Sequence, residues 1–161
     1  MNVVVVFAAL TVVFFVSAFI TRRRFGLLGL ALAAGSILSG VWSYDAGLVV
    51  GSVGIFPSGP LTTAATLSAI VLLPAGLLLF HGYTYKSMIG RLVGAALFTL
   101  LALAFLVEPL GYALTLEGVG ADVYTWLVQN RQVIIGIGLA IAVVDLFFTK
   151  PAHMAEKKSK H

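Results

Sequence analysis

Residues 123–149 read VYTWLVQNRQVIIGIGLAIAVVDLFFT, and the length of this apolar segment decides the fold. An α-helix rises about 1.5 Å per residue, so the segment makes a rod of roughly 40 Å, longer than the ~30 Å of hydrocarbon in a bilayer. The polar run Gln129, Asn130, Arg131 and Gln132 borders its apolar core on one side, and Asp145 stands near the other end. The segment therefore reads as a membrane-crossing helix that tilts or protrudes, with a charge towards each end.

The rest of the chain repeats the pattern. Of 161 residues, 60% are hydrophobic and only 10% charged, with a mean hydropathy of +1.08. A soluble domain carries about 25% charged residues, so this composition could not cover a globule with polar surface. The expectation is an all-α, polytopic integral membrane helix bundle. Its five transmembrane helices fall at about 1–20, 25–43, 61–80, 91–114 and 123–149, within a single domain of residues 1–150. Residues 151–161 form a basic cytoplasmic tail behind Pro151.

Met1–Ile20 has no positive residues in front of it and three arginines behind it, so it reads as a retained helix, not a cleaved secretory signal. In the second helix the pairs Ala31/Gly35 and Ser36/Gly40 place small residues on one face, where a neighbouring helix can approach closely. Gly90/Gly94 repeats that spacing at the start of the fourth, and Pro74 predicts a kink in the third. Residues 44–60 are interrupted by Gly47, Gly51, Gly54, Pro57, Gly59 and Pro60. They read as an outer interfacial loop or a shallow re-entrant segment, because open backbone groups are not tolerated in lipid. Four crossings plus such a segment are the alternative architecture.

Orientation follows from the cations. With five crossings and the amino terminus outside, nine of the ten Lys and Arg fall on the cytoplasmic side, and Arg131 alone falls on the other half. That split satisfies the positive-inside rule for an N-out, C-in topology in a cell membrane. Trp42, Tyr44, Tyr112, Tyr124 and Trp126 gather at the outer boundary, where amphipathic rings favour the headgroup level. Arg22, Arg23, Arg24, Lys157, Lys158 and Lys160 are then expected at lipid headgroups.

Charges inside a bundle need partners. Glu108 and Arg131 are nearly equidistant from the turn between the fourth and fifth helices, so an antiparallel pair sets them at one depth. Pro109 removes a backbone donor and offers Arg131 a second acceptor in the carbonyl it frees. Together with Gln129 and Asn130 these residues form the candidate intramembrane polar site. The same symmetry proposes an inner ion pair of Arg91 with Asp145.

Cysteine is absent, which excludes disulfides and thiolate metal sites. His81, His153 and His161 lie at a helix end or in the tail, so no haem, metal or other cofactor is expected. No HExxH, GxSxG or GxxxxGK[ST] motif occurs. The pI near 9.6 reflects topology and not nucleic-acid binding. Arg22–Arg24 after the first helix and GRLVGAALF at Gly90–Phe98 are together similar to the small four-helix membrane proteins of the colicin V production type. That likeness covers less than a third of the chain and implies one helix fewer than counted here.

The functional expectation is a small non-enzymatic membrane protein, a structural or accessory subunit embedded in the lipid bilayer as a homo-oligomer or within a larger membrane complex. The alternatives are a transporter or channel component built around Glu108 and Arg131, and a lipid-modifying enzyme.

Overall fold

The computed structural model describes residues 3–52, 59–81, 84–85, 87–113 and 119–148, the backbone alone at 44–52 and 119. Five helices run through them: α1 (Val3–Thr21), α2 (Phe25–Ser52), α3 (Pro60–Phe80), α4 (Met88–Gly111) and α5 (Val119–Phe147). All five are long and apolar enough to cross a membrane. Among the described residues the expected number of helices long enough to span therefore stands.

The helices alternate in direction. Val3 and Phe7 at the start of α1 pack with Val107 near the end of α4 and Leu127 near the start of α5, and this is the amino end of the bundle. At the opposite, arginine end lie the last turns of α1, α3 and α5 and the first turns of α2 and α4.

Local sequence sets the helix starts. Pro60 opens α3, where a missing N–H costs nothing and φ is already helical. Ser87 caps α4, its hydroxyl accepting the Gly90 N–H at 3.1 Å.

α4 and α5 begin at Met88 and Val119, a little before the expected 91 and 123, and one boundary differs more. The second helix was expected to end at 43 with a broken segment behind it, yet α2 continues to Ser52. Gly47 and Gly51 lower helix propensity by about 1 kcal/mol each, but each keeps its N–H donor. The prolines that cannot donate, Pro57 and Pro60, lie beyond Ser52. Residues 53–58 and the tail with Lys157, Lys158 and Lys160 lie outside the described residues.

α4 is the axis of the bundle. It touches α1, α2, α3 and α5 and buries Phe98, Leu101, Ala102, Phe105 and Leu106. Phe98 meets Phe14 of α1 edge to face at 6.2 Å, an arrangement that aligns a ring's positive edge with its partner's negative face.

Small residues set the closest crossings. A Cβ at Gly35 would fall within 3 Å of the Val71 carbonyl, so only glycine allows α2 and α3 to cross there. Gly40, its expected companion, faces open space. Gly26 plays the same part between α2 and α5, against the Ala142 carbonyl. Away from these seams the surface is strongly apolar, with Ile20, Ile37, Leu77, Ile89 and Val133 each at least 60% exposed. Such a surface suits hydrocarbon and not water.

Candidate functional site

Charge is concentrated at the two ends of the bundle. At the arginine end, three helices present their C-termini, each with carbonyls left over from intrahelical bonding and a partial negative charge. An arginine reaches each of them. Arg91 donates to the Phe19 carbonyl of α1 at 3.0 Å, its guanidinium 4.5 Å from the Phe19 ring centre. Arg23 donates to Leu79 and Phe80 at the end of α3, at 2.9 and 2.6 Å. Arg24 donates to the Asp145 carbonyl of α5 at 3.3 Å.

The first turn of α2 lies at the same end and needs acceptors instead. The Asp145 carboxylate accepts the Gly26 N–H at 2.9 Å, and the Tyr85 hydroxyl accepts the Phe25 N–H at 3.2 Å. The Asp145 carboxylate also acts on the Tyr85 hydroxyl. Burial pushes the Tyr85 hydroxyl above the ordinary tyrosine value; the Phe25 N–H and the Arg24 charge oppose that rise, and Asp145 reinforces it. The Tyr85 ring also fills the space above Gly90 and Gly94, where a Cβ would come within about 3 Å of it. The glycine pair at the start of α4 thus seats a loop aromatic and not a neighbouring helix.

One expectation is corrected here. The inner ion pair is Arg24–Asp145, at 3.8 Å, and not Arg91–Asp145. Hairpin symmetry alone pointed to α4, but α2 packs closely on α5 through Gly26 and brings Arg24 to the carboxylate. Arg23 and Arg24, expected at lipid headgroups, also donate to carbonyls at helix ends. Arg22, with φ of 57°, makes the left-handed turn that redirects the chain from α1 into α2, and its carbonyl accepts the Tyr85 N–H at 2.8 Å. Tyr85 escaped the sequence reading altogether. The available signal was an aromatic residue in a short turn beside two glycines.

At the amino end, Glu108 of α4 and Arg131 of α5 meet at 2.6 Å. The short distance fits a charge-assisted hydrogen bond. Their side chains are 61% and 30% exposed, and they line a recess of about 400 Å³ with Val107, Gly111, Tyr112, Tyr124 and Val128. A Cβ at Gly111, another lining residue, would meet the Tyr124 hydroxyl and push that ring aside. The carbonyl freed by Pro109 does not serve Arg131, whose Nε is buried with no hydrogen-bond partner.

Gln129 and Asn130 are not brought into the recess. Gln129 is exposed, and the Asn130 amide donates back to the Trp126 carbonyl one turn earlier on α5, at 2.8 Å. The hundred-degree step per residue turns both away from the face that carries Val128 and Arg131.

The fold defines an all-helical bundle of five helices long and apolar enough to cross a membrane, with an ion pair towards each end among the described residues. No family model, curated protein or solved structure matches the chain, so the likeness to the colicin V production proteins has no further support.

Proposed function

We propose that this chain is a small, non-enzymatic, multi-pass protein of the cell membrane, N-out and C-in, acting as an accessory subunit that offers the Glu108–Arg131 recess to a ligand or neighbouring chain at the outer boundary. The observation that supports this reading is the recess itself, a cavity of about 400 Å³ whose walls combine a cation, an anion and two tyrosines. At the arginine end the described charges act as caps on helix termini, which is a structural task. At the amino end the charges face an open volume.

A transport path is the weaker reading. Between the two charged ends the α4–α5 seam is lined by Leu97, Leu100, Leu101, Val133, Ile134, Ile137 and Ile141, and an ion crossing such a seam would meet no compensating group. Conduction would require a second chain.

The protein has no native cysteine, so Val128→Cys at the recess is a clean reporter. Impermeant maleimide added from outside is expected to label it freely in purified protein and weakly in intact cells, where an occupant shields it. Equal labelling in both settings would argue against an occupied recess.

A further inference from the structure

The helices that form the recess, α4 and α5, also form a second opening. Nearer the arginine end, α4 and α5 enclose an apolar slot of about 160 Å³, walled by Leu97, Leu100, Val133, Ile137 and Ile141. Its back is sealed where Leu101 presses on Gly138; a Cβ there would lie 2.9 Å from Leu101 Cδ1. Its mouth faces outward, since Val133 and Ile137 are 60% and 58% exposed. Apolar cavities of about 150 Å³ stay dry and accept apolar guests.

The spacing of the two openings is fixed by the helices. Leu101 precedes Glu108 by seven residues, and Gly138 follows Arg131 by seven. The polar recess therefore stands two turns, about 10.5 Å, from the slot on both walls at once. An occupant of both openings needs a charged head, a short spacer and an apolar chain.

Charge selects the head. Arg131 gives one guanidinium nitrogen to Glu108 and its side chain stays 30% exposed, while Glu108 is the more exposed member of the pair. The recess thus presents a cation and an anion side by side. A phosphate would accept from Arg131, and a primary ammonium would donate to Glu108. A phosphocholine head has no N–H to donate, and a phosphoglycerol head has no cation. Tyr112 and Tyr124 flank the recess with amphipathic rings suited to the headgroup level.

We propose that the α4–α5 crevice binds a glycerophospholipid with a phosphoethanolamine head, the phosphate on Arg131, the ammonium on Glu108 and one acyl chain in the slot of Leu97, Leu100, Val133 and Ile137. This rests on the reading of the recess as a binding site and names its occupant.

Native mass spectrometry on the full chain in mild detergent tests it, with phosphatidylethanolamine, phosphatidylcholine and phosphatidylglycerol of identical acyl chains as probes. Phosphatidylethanolamine is expected to bind about tenfold more tightly than the other two, the weight of one charge-assisted hydrogen bond. Arg131→Gln should weaken binding of all three lipids. Glu108→Gln should abolish the preference for phosphatidylethanolamine over phosphatidylglycerol. Val133→Phe, which fills the slot from its exposed edge, should weaken all three while leaving the helical circular dichroism unchanged. Equal affinity for the three lipids, or indifference to Val133→Phe, overturns the proposal. If Val128→Cys is shielded in cells while the lipids bind alike, the occupant is a protein: this inference falls and the accessory-subunit reading survives. If Val128→Cys is unshielded as well, both fall.

Discussion

Asp145 accepts a backbone N–H from α2, faces the Arg24 guanidinium and is 18% exposed, whereas Glu108 pairs with one guanidinium and is 61% exposed. A hydrogen bond to a buried charge contributes more than an open ion pair, because its loss strands a desolvated partner. Asp145→Asn is therefore expected to cost about 2 kcal/mol and Glu108→Gln less than about 1 kcal/mol, read from thermal unfolding in one detergent. The reverse ranking would mean that the bilayer buries Glu108 more deeply than Asp145. Tyr85 adds a pH term. Its folded pKa is raised, chiefly by burial, so its contribution is fully present below the unfolded value of about 10 and is lost as pH climbs through the folded value. Tyrosinate absorbance should show a late alkaline component that Tyr85→Phe removes, and the variant should lose less stability than the parent between pH 10 and the folded value. The Glu108–Arg131 contact was legible because both residues count out equally from one turn. The partner of Asp145 was not, because it depends on which helix packs against α5, and periodicity on a single helix carries no such information.

At the scale of the helix, glycine marks both contact and emptiness, and sequence spacing does not separate them. Gly35 and Gly40 both sit in small-residue pairs of the second helix, yet one is pressed against the Val71 backbone and the other meets nothing within 4 Å. Gly35→Ala is expected to destabilise by about 1–3 kcal/mol, since the obstacle is main chain that cannot rotate aside. Gly40→Ala should be neutral or stabilising by a few tenths of a kcal/mol, because alanine is the better helix former. Thermal unfolding of the two variants checks the pair, and equal effects would contradict the crossing at Gly35. Helix number and most of the boundaries were legible from apolar length. The end of α2 was not, because glycine was given the weight of proline; only proline removes the donor that a helix needs.

The whole molecule is asymmetric from end to end. One end is tied by arginines on three helix C-termini and by Asp145 and Tyr85 on the first turn of α2; the other carries the open recess. In the N-out arrangement the tied end faces the cytoplasm. Gly59→Cys, at a position whose Cβ meets nothing, should then react with impermeant maleimide on intact cells, and Thr84→Cys should react only after permeabilisation. Labelling in the opposite sense would invert the topology and move the recess to the inner leaflet. The tied end also imposes an order in time. Arg24 and Asp145 are separated by 121 residues, and synthesis proceeds at about 5–20 residues per second, so Arg24 and the Gly26 amide wait roughly 6 to 24 s for their partner to leave the ribosome. By the end of that interval four helices have been made, and the Gly26 amide still lacks its carboxylate acceptor. Unfinished chains are thereby distinguishable from finished ones, and a chain that stops short of Asp145 carries the mark of incompleteness for as long as it survives.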